Sequence, residues 1–295
     1  MPAAAPVSRP IVAGIVTALV GFTSSFAVVL TGLDAVGASA AQAASGLLAV
    51  SLAMGLACIV LAWRYRMPIT AAWSTPGAAL LVATGSVEGG WPAAVGAFLV
   101  TAALILLTAL WPALGALIAR IPPSIAQAML AGVLLPLCLA PITGVVANPW
   151  GVVPVVLTWL VFARLAPRWA VPLAFVAAAA VVAVSLVSAG TRVDPAVLLP
   201  RFELTMPAFT VGALVGIALP LFIVTMASQN VPGIAIMRSF GYEVPWRPAM
   251  LVTGLGTALG APAGGHAINL AAISAALAAS PDADPDPDRR WLAGV

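Results

Sequence analysis

The chain of 295 residues contains no lysine, one histidine, two cysteines and two tyrosines. Charged residues make up only 7% of it, against about 25% in soluble domains. With 62% hydrophobic residues and a mean hydropathy of +1.13, this shortage of charge excludes water as the main solvent of the fold, and the chain reads as a polytopic membrane protein. Cys58 and Cys138 lie in separate apolar runs without CxxC spacing, which excludes a disulfide framework and a thiolate metal centre; neither a metal nor a cofactor is expected. The 12 basic residues are all arginine, scattered singly or in pairs. No basic stripe results, so nucleic acid is excluded as a partner despite a net charge of +3 and a pI of about 9.5. A catalytic set is missing too. There is no HExxH motif, no carboxylate pair within an apolar run and no thiol near the histidine, so the chain is not read as an enzyme.

What is present is a succession of apolar runs. A transmembrane helix needs about 20 apolar residues, and on that measure spans fall near 11–33, 40–63, 69–85, 91–118, 123–142, 149–165, 169–189, 207–229, 245–260 and 261–280. The first run is too long for the apolar region of a secretory signal, roughly 7–15 residues, and reads as a retained helix. Arginine positions test the count. With a cytoplasmic N-terminus, the inner segments carry Arg9, Arg64, Arg66, Arg120, Arg164, Arg168, Arg238, Arg247, Arg289 and Arg290. The outer loops carry Arg192 and Arg201, in one loop with Asp194 and Glu203. This is the asymmetry of the positive-inside rule, and it holds only if 69–85 and 261–280 each cross the membrane once.

Those two segments are unusual. ITAAWSTPGAALLVATG (69–85) opens with β-branched and aromatic residues and reaches Ser74, Thr75 and Pro76, with Thr75 read as the N-cap of a helix that Pro76 begins. As a continuous helix it would span only about 26 Å at 1.5 Å per residue. With about six residues extended it reaches about 36 Å, enough for a hydrocarbon core of about 30 Å. GAPAGGHAINLAAIS (260–274) is likewise Gly-rich, expected to be irregular over 261–265 with a helix starting near Gly265, and Ala267 to Ala279 reads as helix. Extended backbone at that depth must be buried in protein or line a cavity. The two segments are the third in each set if the chain repeats after seven spans, and paired interrupted segments in inverted halves point to a transporter's central site.

The stretches AAWSTPGAALL (71–81), TMASQNVPGIAIMRSFGY (225–242) and GGHAINLAAISAALAASPDADPDPDRRWLAGV (264–295) resemble benzoate/proton symporters of the BenE type. Those belong to the fold group of nucleobase/ascorbate permeases and sulfate permeases. The resemblance covers essentially the whole chain. It implies an all-α polytopic fold of inverted 7+7 repeats with two half-strand, half-helix spans, third and tenth, in a bacterial inner membrane. The core domain would comprise residues 1–120 (spans 1–4) and 201–295 (spans 8–10 and the start of 11), and the gate domain 121–200 (spans 5–7). It also implies an aromatic carboxylate carried with a proton, and a homodimer. RRWLAGV (289–295) reads as the start of an eleventh span, so further spans are expected in the family's complete fold and this chain alone is not expected to transport.

Two half-helix N-termini meeting at mid-depth can hold a carboxylate on backbone N–H groups and dipole ends without a buried arginine. Candidate ligands are Ser74, Thr75 and Gly77 on the first segment and Gly264, Gly265, His266 and Asn269 on the second. Gln229 and Asn230 join them from the inner end of span 8, where they precede Pro232, and Ser25 and Phe26 from span 1, with Ser24 beside them; apolar walls for an aromatic ring are expected from Phe22 or Phe26 on span 1 and from Phe222 on span 8. His266 is the candidate proton carrier, because an intramembrane ionisable group is a functional candidate and histidine titrates near neutrality; Asp34 is the alternative. An uncoupled carboxylate or anion channel on the same fold, or a carrier of a nucleobase-like substrate, remains open.

Overall fold

The computed structural model describes residues 8–120, 123–190 and 199–295; Arg192 and Asp194 of the expected outer loop lie outside them. The chain is an integral membrane protein built almost wholly of helices: α1 (Ser8–Ala35), α2 (Ala40–Tyr65), α3 (Thr75–Thr84), α4 (Gly90–Leu110), α5 (Pro112–Ala119), α6 (Pro123–Ala147), α7 (Pro149–Leu165) and α8 (Ala170–Ser188). These are followed by the 29-residue α9 (Val211–Ser239), then α10 (Trp246–Gly260) and the short α11 (Ile273–Ala279). α1, α2, α4, α8 and α9 are each long and apolar enough to cross a bilayer. The strands among the described residues are β1 (Ala71–Trp73) and β2 (Ile268–Leu270), paired antiparallel with Ala72 facing Asn269.

Local chemistry explains the breaks. Pro112 lacks an N–H and disfavours helix at the preceding residue, so the single span expected over 91–118 divides at Trp111 into α4 and α5. In α9 two π-helical turns, Leu214–Ala218 and Met226–Asn230, precede Pro220 and Pro232. Each proline ring would clash with the carbonyl four residues back, and the wider turn relieves the clash. Hydroxyls from neighbouring spans approach two of these carbonyls: Thr84 Oγ1 and Thr101 Oγ1, whose shorter bonds are to Leu80 O and Ala97 O of their own helices (both 2.9 Å), lie 3.5 Å from Gly216 O and 3.2 Å from Ala218 O. Gln229 and Asn230 therefore lie inside a continuous helix that runs to Ser239, not at the inner end of a span that stops at 229.

Contacts gather the loops at two ends of the molecule. At one end the Arg66 guanidinium lies 4.2 Å from the centre of the Trp291 ring, Tyr242 Oη donates to Pro287 O (2.8 Å), and Arg238 pairs with Glu243 (3.3 Å). At the other end Trp91 Nε1 donates to Thr205 Oγ1 (2.9 Å), Thr210 Oγ1 to Glu88 O (3.1 Å) and Ser45 Oγ to Ala263 O (2.8 Å). Residues 66–88 run from the first end to the second, and 263–287 run back. Each half-strand segment thus crosses once.

Residues 287–294, expected to begin a span, form a 3-10 stretch packed against α1 and α2, where Gly14 meets Ala293 and Gly294 meets Ala62. Arg290 is buried beneath it and donates to Ala279 O (3.0 Å), the last residue of α11, and to Asp284 O (2.7 Å). A guanidinium on the carbonyl end of a helix satisfies acceptors that the helix leaves open.

Candidate functional site

β1 and β2 cross within the bundle with every residue from Ala263 to Ala271 buried. Ser74 N–H donates to Ala267 O (3.0 Å) and Ala271 N–H to Thr70 O (2.9 Å), which extends the pairing beyond the strands. Backbone groups at this depth need partners, and side chains from three helices close the edges. Cys58 Sγ of α2 accepts from Ala71 N–H (3.0 Å), Thr257 Oγ1 of α10 from Ile268 N–H (3.0 Å), and Asn230 Oδ1 of α9 from Leu270 N–H (2.8 Å).

Two sequence expectations change here. The N-cap of α3 is Ser74, not Thr75: Ser74 Oγ accepts from Gly77 N–H (3.1 Å) while Thr75 is the first helical residue. The second half-helix starts at Ile273, not near Gly265 or Ala267, because the N–H groups of 268–270 are committed to the strand and its edge partners and Gly264 is left-handed (φ +93°). Gly264, Gly265, His266 and Asn269 therefore lie in the approach to β2 or within it, and only α3 presents a helix N-terminus at the crossing.

Gly264 is required by close approach as well as by φ, since a Cβ there would sit 2.9 Å from the Trp91 ring, and one on Gly46 would sit 2.5 Å from Gly264 O. Gly265 N–H donates to Gly260 O (2.9 Å). Gly77 is buried against Leu221 of α9, with its N–H taken by the Ser74 cap.

His266 is fully buried with Nε2 3.0 Å from Ser74 O. A carbonyl only accepts, so Nε2 carries the proton. The same carbonyl accepts Ala78 N–H of α3 (2.8 Å). Nδ1 has no partner among the described residues, and neither do the buried Asn269 Oδ1 and Thr70 Oγ1. Ser74 Oγ also bonds Thr225 Oγ1 of α9 (2.8 Å). Asn230 is fully buried and Gln229 half-buried.

A second cluster lies where α1 meets β1 and α3. Ser25 Oγ accepts from Trp73 Nε1 (2.9 Å) and from Thr75 Oγ1 (3.3 Å). Phe22 stacks on Phe26 (5.6 Å between ring centres) and meets Trp73 edge-on (5.5 Å), and Phe26 meets Phe175 of α8 edge-on (5.4 Å). The structure thus joins Ser25, Phe26, Ser74, Thr75, Gly77, Asn230, His266 and Asn269 around one crossing. It sets Asp34 apart, exposed near the C-terminus of α1 and about 13 Å along the helix from Ser25. Ser24 is exposed, its hydroxyl on Gly21 O. Trp73 was not evident from sequence; its one signal is an N–H donor embedded in an apolar run next to Ser-Thr-Pro.

A model of the benzoate membrane transport protein family matches residues 4–295. The chain belongs to that family. It is a membrane-transport family rather than an enzyme family. The chain is similar to "Inner membrane protein YdcO" of Escherichia coli K12, 40% identical over 245 residues, which cover 83% of this chain and 62% of that protein. It is also similar to "Benzoate membrane transport protein" of Acinetobacter baylyi, 28% identical over 287 residues, covering 96% of this chain and 71% of that one. The chain thus spans about two thirds of the length of these relatives.

Proposed function

We propose that this BenE-family chain serves proton-coupled uptake of benzoate or a similar aromatic carboxylate across a bacterial inner membrane, with the N-terminus cytoplasmic and the two half-strand segments belonging to inverted repeats. The observation that carries this is the crossing itself: neutral hydroxyl, indole and amide groups gathered inside the bundle beside an aromatic row, with no arginine among them. Neutral donors with a helix N-terminus can hold a single carboxylate without a permanent buried cation, which would be costly in the membrane. The relatives agree, one bearing the name of a benzoate transport protein and the other of an inner membrane protein.

The proton follows from energetics. An aromatic acid with a pKa of about 4.3, like a glutamate side chain, is ionised at neutral pH, and its inward movement against a negative interior is opposed by about 2.3 kcal/mol per 100 mV unless a proton accompanies it. His266 is the histidine available, and its Nδ1 lone pair is the position open to that proton. Carboxylate and proton then strengthen each other's binding by the same factor.

The test is benzoate binding to this chain, with uracil as competitor, and benzoate uptake in liposomes by the full-length protein under an imposed pH gradient. Binding that uracil does not displace, with accumulation that follows the gradient, is expected. Uptake that stops at equilibrium whatever the gradient would favour an uncoupled channel, and a preference for uracil would overturn the substrate class.

A further inference from the structure

We infer that the indole N–H of Trp73 and the hydroxyl of Thr75 form the receptor for the substrate carboxylate, and that Ser25 Oγ holds the carboxylate's place while the site is empty. The inference rests on the reading of this family member as an aromatic-carboxylate carrier and names the atoms that would recognise the acid.

The geometry is that of two donors converging on one acceptor. Trp73 Nε1 and Thr75 Oγ1 approach the same oxygen at 2.9 and 3.3 Å, from the end of β1 and the first residue of α3. Ser25 Oγ itself lies 3.4 Å from Gly21 O, four residues back on α1. Gly21 O, which Ser24 Oγ also approaches (3.1 Å), is the acceptor on Ser25's own helix, while Ser25 Oγ itself accepts both incoming bonds. An indole N–H only donates. A neutral hydroxyl oxygen is a weaker acceptor for such a pair than a carboxylate oxygen, whose charge roughly doubles the strength of each bond. An arriving carboxylate therefore displaces Ser25 from both donors, and the serine keeps its bond to its own helix.

The surroundings suit the rest of the acid. Trp73 is buried, whereas Ser25 and Thr75 are half-buried, so the donor pair lies at the margin of the packed core. Beside it run Phe22, Phe26 and Phe175, each meeting the next at 5.4–5.6 Å. Edge and offset contacts of this kind accept a further aromatic ring. Phe175 belongs to α8 and the other two to α1, so a bound ring would touch both helices. The ligand class is a monocarboxylate on an aromatic ring.

Three variants of the protein test this by binding of radiolabelled benzoate in detergent, each checked for a monodisperse, cooperatively melting protein. Trp73→Phe keeps a ring and deletes the N–H, and about ten-fold weaker binding is expected, the usual cost of losing one hydrogen bond to a charged group. Thr75→Val should weaken binding similarly, because the shape is preserved and the donor lost. Ser25→Ala gives the opposite sign: it frees both donors, and binding should tighten about three-fold.

Benzamide, whose neutral carbonyl oxygen accepts from the same donors, should change with the same signs but less than benzoate in all three. Weaker binding in Ser25→Ala would make Ser25 a direct ligand and overturn the inference, as would unchanged binding in a folded Trp73→Phe. Should Trp73→Phe misfold, Thr75→Val and Ser25→Ala decide by their opposite signs. Failure of the unaltered protein to bind benzoate would instead defeat the functional reading beneath it.

Discussion

The carbonyl of Ser74 accepts from two directions, Ala78 N–H of its own helix and His266 Nε2 from the other half-strand segment. A side chain that replaced the histidine but kept an N–H could hold that bond, which separates packing from proton chemistry at this residue. In the full-length protein His266→Gln is therefore expected to fold and to keep some benzoate binding while losing pH-dependent accumulation, read as uptake against external pH. Uptake with unaltered pH dependence would make His266 a fastener of the crossing and move the proton elsewhere, with Asp34 next to be tested. The sequence made this histidine conspicuous because a lone ionisable group stands out in apolar surroundings. It could not show Ser74 O as the partner, since 192 residues separate the two.

At the scale of elements, the strand edges are held by single side chains. Asn230 Oδ1 is the acceptor for Leu270 N–H, and a buried N–H left without one costs about 1–3 kcal/mol. Asn230→Leu should lower thermal stability by that order in a melting experiment in detergent. A melting temperature equal to that of the unaltered protein would show that the edge bond contributes nothing.

Much of this level was legible beforehand. The short span, the Ser-Thr-Pro start and the Gly-rich entry to the last span announced two interrupted segments. The late start of α11 was not legible, because Ile268, Asn269 and Leu270 are compatible with a helix by composition. They become a strand only through partners on β1, α9 and α10, and such non-local bonds leave no mark on neighbouring residues.

For the whole molecule, sidedness is the property to test. The end bearing Arg66, Arg238 and Arg290 is expected to be cytoplasmic, and the end bearing Glu88 and Thr210 external. In a Cys138→Ser background, Glu88→Cys should react with a membrane-impermeant maleimide in intact cells, and Arg66→Cys only after permeabilisation. The reverse pattern would invert the topology. The arginine-rich end is also tied together by neutral bonds. Burial pushes the Tyr242 phenol above its ordinary range, partly offset by Arg290, so it remains a donor to Pro287 O through neutral pH.

The pairing of β1 with β2 also governs how the protein is made. Ala72 and Asn269 face each other across about 200 residues of chain, which a ribosome adds in ~10–40 s at about 5–20 residues per second. Throughout that interval residues 71–73 have no second strand to pair with. Cys58, only 13 residues before Ala71, can already cover one N–H, but the groups that later meet Ala267 to Ala271 have no partner in the nascent chain. Such a segment is poorly suited to pass alone into lipid. The crossing can close only after the second half-strand has been made, so its assembly is a late and non-local step in biogenesis.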